Sequence, residues 1–166
     1  MKPISRNTML VHARAVEAQA LKLVPNELTT EAFQQKYSRT VFEQLAEADY
    51  TMAQRFRKAP EPLTFFEVGR HLHQQGGLTA FLLMAEGLYD PHEIVSLLSL
   101  KQSMYGPMNL QKYGIFGVLI RVSDKISRLA TLADNINTHV ESYRDTLIDI
   151  TGYCILGLSL ITDGDA

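Results

Sequence analysis

The chain has 166 residues, 20% of them charged and 46% hydrophobic, and a formal net charge of −2. This length suits one domain, which can bury roughly 70% of the surface that the unfolded chain exposes. The composition excludes disorder of the whole chain. The near-neutral net charge excludes a positively charged surface over the whole protein that would bind nucleic acid, although a local basic patch is compatible with it.

The N-terminal segment has no continuous apolar run, because charged side chains such as Arg14 and Glu17 interrupt it. The sequence therefore shows no secretory signal. The most apolar stretch, 148–162, has Asp149 near its start and falls short of the roughly 20 apolar residues that a membrane span requires. We therefore expect a soluble, cytoplasmic protein with no membrane partner. Cys154 lies in the same stretch and is expected to be a buried small hydrophobic side chain.

Apolar residues at helical spacing predict two long helices in the N-terminal part of the chain. The first covers 5–24 and is closed by Pro25. Thr29 or Thr30 can cap the second helix, which runs to about Lys58, where a proline-rich segment ends it.

Residues 63–74 and 78–88 predict two shorter helices, separated at Gly76-Gly77 because adjacent glycines favour a break. His71 and His73 would point to opposite sides of the first of these helices. They therefore suit no shared metal, and we expect them at the surface or in a loop.

A strong helix-start signal follows the second of these helices. Asp90 can act as N-cap with Pro91 in the first turn, and the helix ends near Tyr105. No alternating apolar and polar run of convincing length occurs anywhere in the sequence, so no strand is expected and the fold class is all-α.

The next helix, predicted over 115–133, combines an apolar side with a cluster of charges. On a helical wheel, a stripe about 80° wide forms the core side: Ile115, Leu119, Val122, Ile126, Leu129 and Ala133. An adjoining sector about 100° wide is charged: Arg121, Asp124, Lys125 and Arg128. These charges can form a solvated face with ion pairs inside the helix.

The last helix carries three acids at intervals of four residues, Glu141, Asp145 and Asp149. Successive members of this acidic stripe rotate by only about 40°, so the carboxylates stack on one side and repel each other. The same side continues to Gly152 and Leu156, which indicates that it runs from the surface into the interior. A cationic partner is therefore expected to face it.

Two partners are compatible with this pattern. Basic residues of the preceding helix can neutralise the acids directly, or a hard divalent cation such as Mg²⁺ can lie between them. The second arrangement leaves several cations available for phosphate oxygens: Lys112, Arg121, Lys125 and Arg128. Tyr105 and Tyr113, each followed by a glycine, can stack on a nucleobase, or the glycines simply shape the loop.

The C-terminal part of the chain resembles the nucleotide-modification-associated domain of bacteriophages and bacteria. That family combines a Tyr-Gly pair, an Arg-x-x-Asp-Lys-x-x-Arg-Leu motif and a Glu-Ser-x-x-Asp-Thr-Leu-x-Asp motif, in this order. The matching residues are Tyr113-Gly114, Gly117, Arg121, Asp124-Lys125, Arg128-Leu129, Glu141-Ser142, Asp145-Thr146-Leu147, Asp149 and Tyr153.

This family is in turn similar to the all-α nucleoside triphosphate pyrophosphohydrolases of the MazG and dimeric dUTPase type. The resemblance implies a helical bundle of that type with an extra helical N-terminal region. Residues 91–166 would form the nucleotide-modification-associated domain, and residues 1–90, of unassigned role, would form one compact unit with it. The resemblance also implies a homo-oligomer, either a dimer or a tetramer. Its ligand would be a nucleotide rather than a nucleic acid. If a phage encodes the protein, it would act in the host cytoplasm.

By this likeness the protein would be a Mg²⁺-dependent pyrophosphohydrolase-like enzyme in nucleotide pool control or DNA base modification. Mg²⁺, or Mn²⁺ in its place, would bind the triphosphate and activate the attacking water. The residues implied as both catalytic and metal-binding are Asp124, Glu141, Asp145 and Asp149. The residues implied as nucleotide- and phosphate-binding are Lys112, Tyr113, Arg121, Lys125 and Arg128.

The chain departs from these enzymes in its acidic motifs. Their Glu-Glu-x-x-Glu motif is replaced by Asp124, Lys125 and Arg128, and their Glu-x-x-Asp motif appears only as acids four residues apart. The alternative is a non-enzymatic helical subunit that binds a modified nucleotide or another protein of a modification pathway, with the charged cluster serving only as a structural network. Acids that converge on an open pocket would favour the enzyme, whereas direct salt bridges from Arg121, Lys125 or Arg128 would favour the alternative.

Overall fold

The computed structural model describes residues 2–23, 31–58, 63–106 and 112–164, with the backbone alone over 31–37. Within these ranges the chain is helical and contains no strand, which confirms the all-α prediction. The six helices of the described residues are α1 (Arg6–Leu23), α2 (Glu31–Lys58), α3 (Phe65–Ala85), α4 (Pro91–Tyr105), α5 (Gly114–Ala133) and α6 (Val140–Asp163). The predicted boundary residues Pro25, Thr29 and Thr30 lie outside the described residues.

Side-chain caps define where α3 and α4 begin. Asp90 Oδ1 accepts hydrogen bonds from the backbone N–H groups of His92, at 2.8 Å, and Glu93, at 3.3 Å, which confirms the predicted N-cap of α4. Thr64 caps α3 and forms a reciprocal capping box with Glu67. Both helix starts are therefore encoded by residues within one turn of the cap.

The predicted break at Gly76-Gly77 is wrong, because α3 runs through both glycines without interruption. A Cβ atom at Gly76 would lie 2.9 Å from Cγ1 of Val16, and one at Gly77 would lie 2.5 Å from Cγ of Gln19. Both neighbours belong to α1. The glycines therefore allow α1 and α3 to pack closely, at a cost of about 1 kcal/mol each in helix propensity.

The core is built around α6, which packs most extensively against α3 and α5. Residues 150–160 are all buried except Tyr153, and Cys154 is fully buried as predicted. At Gly157 a Cβ atom would lie only 2.6 Å from Cδ1 of Leu72 in α3. This glycine is thus a point of close helix contact in the middle of the core.

The prediction that the apolar stretch is too short for a membrane span needs correction, because a window of 18 residues within α6 is apolar overall. The helix has 24 residues and is apolar enough, by length and composition, to cross a membrane. However, 67% of its apolar window is buried inside the fold, as in the core helix of a soluble protein. The cytoplasmic location stays a prediction.

The apolar side of α5 is confirmed, whereas the predicted position of the histidines is wrong. Ile115, Leu119, Val122, Ile126 and Leu129 are buried, and Ala133 is partly buried. His71 is only 8% exposed, and His73 is partly buried with its Nε2 atom 3.2 Å from the carbonyl oxygen of Ala15. Both histidines are covered because α3 contacts α1, α2 and α6.

Candidate functional site

The acidic stripe of α6 runs from solvent towards the interior, as the sequence indicates. Glu141 and Asp145 are exposed, whereas the Asp149 side chain is only 22% exposed. One and two turns further on, Gly152 and Leu156 are buried. The three carboxylates therefore lie in different environments, and only Asp149 lies where burial demands a partner.

Two lysines hold Asp149 from opposite helices. Lys101 Nζ in α4 lies 3.0 Å from Asp149 Oδ1, and Lys125 Nζ in α5 lies 3.0 Å from Asp149 Oδ2. The pair with Lys125 is the direct neutralisation by the preceding helix, one of the two arrangements predicted. Both carboxylate oxygens are engaged, so the ion pairs connect α4, α6 and α5.

Lys101 is not among the predicted site residues, although its position in the sequence carries a signal. It follows Ile94, Leu97 and Leu98 at intervals of seven, four and three residues, which places its charge on the apolar side of α4. A lysine on such a side is favoured by an acidic partner on a neighbouring helix. That partner is Asp149.

A cleft of about 310 Å³ opens beside this ion-pair cluster, between α4, α5 and α6. Its apolar wall includes Leu97, Leu98, Ile148 and Leu156, and its polar groups include Lys101, Arg121 and Asp149. A Cβ atom at Gly152 would lie 2.9 Å from Cδ2 of Leu98, so the glycine sets the close approach of α4 to α6 at the cleft.

Two tyrosines also line the cleft. The guanidinium carbon of Arg121 lies over the ring of Tyr153, 5.8 Å from its centroid, a distance at which a cation is attracted to the ring face. Tyr105, at the end of α4, is 66% exposed. The cleft therefore presents one aromatic ring beside a cation and a second that is accessible from solvent.

The other predicted site residues lie outside the lining of this cleft. The exposed members are Lys112, Tyr113, Asp124, Arg128, Glu141 and Asp145. Lys112 Nζ lies 5.7 Å from the ring centroid of Tyr113, so these two residues contact each other at the start of α5. Lys125 also lies outside the lining, although it forms an ion pair with Asp149. Of the predicted set, the structure therefore places only Arg121 and Asp149 at the cleft, with Lys125 paired to Asp149.

The described ranges contain no group of three or more His, Cys, Asp or Glu side chains arranged to hold a metal ion. The predicted acids Asp124, Glu141, Asp145 and Asp149 all lie within these ranges. With both Asp149 oxygens bound to lysines, the residues as arranged do not fit a four-carboxylate Mg²⁺ site. Binding of Mg²⁺ or Mn²⁺ stays a prediction.

No family model, no curated protein and no solved structure matches this chain. The resemblance to the nucleotide-modification-associated family therefore stays a prediction that rests on the motifs between Tyr113 and Tyr153. The MazG-like type of bundle and the homo-oligomer implied by that resemblance are likewise predictions.

Proposed function

We propose that the protein binds a nucleotide in the cleft between α4, α5 and α6, as a binding protein of a nucleotide-modification pathway. The phosphate would contact Lys101 and Arg121, and the base would lie against Tyr105 or Tyr153. The observation that carries this proposal is the imbalance of charge beside the cleft. Asp149 lines the cleft and is shared by two ammonium groups, that of Lys101 in the lining and that of Lys125 outside it.

The cluster attracts anions even before Arg121 is counted. Lys101 and Lys125 contribute two positive charges and Asp149 one negative charge, which leaves a net charge of +1. The Lys101 side chain is 44% exposed, and an ion pair with such exposure contributes at most about 1 kcal/mol. Lys101 can therefore turn from Asp149 towards a phosphate at small cost, while Lys125 keeps Asp149 neutralised.

The size and lining of the cleft support a nucleotide as the anion. A volume of about 310 Å³ lies at the lower end of the roughly 300–1,000 Å³ that is typical of small-molecule pockets. An inorganic anion would leave the leucines and tyrosines of the wall uncovered. A base and sugar with a short phosphate group use both the apolar wall and the cationic edge.

Between the two predicted roles, the ion pairs of Asp149 favour binding. A direct salt bridge from Lys125 is expected for a binding or structural role rather than for a hydrolase, and this salt bridge is present at 3.0 Å. Pyrophosphohydrolase activity stays a prediction, which the same set of experiments tests.

Isothermal titration calorimetry with nucleoside mono-, di- and triphosphates, first in EDTA and then in Mg²⁺, tests the proposal. We expect binding in EDTA, and we expect Lys101→Met to weaken it about tenfold, the equivalent of one charge-assisted hydrogen bond. Arg128→Met is the matched control, because it removes one charge from an exposed position on α5 outside the cleft. The affinity of the Arg128→Met variant for nucleotides should equal that of the unmodified protein.

Two outcomes would overturn this binding site. One is an absence of heat with every nucleotide, and the other is an equal loss of affinity in the Lys101 and Arg128 variants. Release of pyrophosphate in Mg²⁺ that disappears in Asp145→Asn would instead support the hydrolase. In that case the exposed acids of the stripe would take part, which the cleft proposal does not require.

A further inference from the structure

A second pocket, of about 130 Å³, lies between α2, α3 and α5. It shares no lining residue with the cleft described above. Its apolar lining includes Met52, Phe56, Phe116 and Leu119, and its polar lining consists of Asp49, His71 and Ser123. Apolar side chains would fill such a pocket without any need for hydrogen-bond partners. Three polar side chains in its lining therefore indicate a ligand that can pair with them.

We propose that this pocket binds a small organic cation, an ammonium group carried on a single aromatic ring or an apolar body of that size. The inference is independent of nucleotide binding at the other cleft. It depends on the carboxylate, the histidine and the two phenyl rings of the pocket, which come from three different helices.

Asp49 is the anionic group of the site. Its Oδ2 atom accepts a hydrogen bond of 3.0 Å from Ser123 Oγ, and in the described part of the chain no lysine, arginine or histidine forms an ion pair with it. Partial burial raises its pKa, and the nearby charge of Asp124 adds to this effect. A carboxylate in these surroundings is stabilised by a cation that comes from outside the fold.

His71 is the second polar group and is more than nine-tenths buried, with 8% exposure. Among the described residues its imidazole has no hydrogen-bond partner, and burial lowers its pKa to about 4. At neutral pH the ring is therefore uncharged and offers one nitrogen as an acceptor. A neutral imidazole also carries one N–H donor, so His71 can pair with either kind of group. The carboxylate of Asp49 is therefore the group that selects a ligand that donates hydrogen bonds and carries a positive charge.

The rest of the pocket suits an apolar body of one ring. Phe56 and Phe116 lie edge to face, with 5.4 Å between their centroids, and both are about half exposed. Phenyl rings attract an ammonium group through their faces and a hydrocarbon body through apolar contact. A closed cavity of about 150 Å³ accommodates benzene, so this open pocket of about 130 Å³ is close to the size of a single ring.

Benzylamine is the probe that this geometry selects, and titration followed by two-dimensional NMR of the whole protein measures both its affinity and its location. Benzyl alcohol has the same size without the charge, and benzoate reverses the charge. We expect benzylammonium to bind at least about tenfold more tightly than the alcohol, because hydrogen bonds between charged groups are stronger than those between neutral groups. Benzoate should not bind. The shifts should be confined to residues that line the pocket.

Variants separate the pocket from general attraction of cations. Asp49→Asn keeps the shape of the side chain and should abolish the preference for benzylammonium over benzyl alcohol. Glu43→Gln removes a charge from an exposed position on α2 that does not line the pocket, and it should leave this preference within about twofold. Far-ultraviolet circular dichroism of each variant confirms that the helices are retained.

Three results would overturn the proposal. The first is equal affinity for benzylammonium and benzyl alcohol, and the second is a preference that persists in Asp49→Asn. The third is shifts that map away from α2, α3 and α5. Equal binding of butylammonium would contradict the aromatic body in particular, because a flexible chain makes less use of Phe56 and Phe116.

Discussion

His71 makes the stability of the protein depend on pH in a way that one substitution can isolate. Burial lowers the pKa of this histidine from its ordinary 6.5 to about 4. Above pH 6.5 the ring is neutral in both the folded and the unfolded chain. Between pH 6.5 and about 4 the unfolded chain takes up a proton that the folded chain does not. The free energy of unfolding therefore falls as the pH falls through this window.

The size of the effect follows from the two pKa values. At pH 5 the proton binds to the unfolded state strongly and to the folded state hardly at all, which lowers the free energy of unfolding by about 2 kcal/mol relative to pH 7.5. A domain is typically stable by about 5–15 kcal/mol, so the loss is measurable. His71→Leu removes the titrating group and places an apolar side chain at this buried position. The variant should therefore lack this loss of stability at pH 5.

Urea denaturation at pH 7.5 and pH 5, for the unmodified protein and for His71→Leu, measures the difference. The pKa of His12 is also lowered by burial and that of Asp49 is raised, but both groups are present in each protein and cancel in the comparison. Because Asp49 lines the same pocket, the comparison is repeated in the Asp49→Asn background. Parallel pH dependences with equal m-values would refute a buried, neutral His71.

Four further substitutions test the packing and the caps by chemical denaturation. Gly157→Ala places a Cβ atom 2.6 Å from Cδ1 of Leu72 and should destabilise by about 1–2 kcal/mol after the gain in helix propensity; an unchanged midpoint would show that the helices separate without cost. In Gly69→Ala the new Cβ atom would lie 3.6 Å or more from its nearest neighbours, so the substitution should instead stabilise the protein by up to about 1 kcal/mol. Destabilisation would contradict the space for a Cβ atom at this position. Tyr89→Phe removes a hydrogen bond to a backbone carbonyl of α1 and should cost about 1 kcal/mol; no loss would show that this contact does not hold α1. Thr64→Ala removes the cap of α3 and should cost about 1 kcal/mol, and a variant as stable as the parent would show that α3 begins without its cap.

Features determined within one helical turn were predictable from the sequence. The N-cap at Asp90, the end of α4 at Tyr105 and the buried stripe of α5 all follow from local spacing and capping, and the structure confirms them. The absence of strands in the described ranges follows from the same rules. Such rules identify helices well because the 3.6-residue period is a property of a single segment.

Features determined by a neighbouring helix were not predictable in this way. Gly76 and Gly77 signal either a break or a close approach, and only the position of α1 decides between them. His71 appeared polar and therefore exposed, but α3 is surrounded on several sides. The pair of Asp149 with Lys125 was one of two open alternatives, and Lys101 was missed because it belongs to a third helix.

The second pocket illustrates the same limit most clearly. Asp49, His71 and Ser123 come from α2, α3 and α5 and form no motif in the sequence. A half-exposed phenylalanine such as Phe116 gives no signal by itself, since single apolar residues on a surface are common. Only the packing of three helices shows that these side chains share one pocket.

The order of the helices along the chain has a consequence for synthesis. The helix that covers α3 most extensively is α6, yet α3 ends at Ala85 and α6 begins at Val140. At translation rates of about 5–20 residues per second, the ribosome needs roughly 3–11 seconds to add the intervening segment. During this interval the nascent chain exposes the apolar side of α3 without its main partner. We expect cellular chaperones to engage the growing polypeptide at this stage, and truncated products that lack α6 to aggregate.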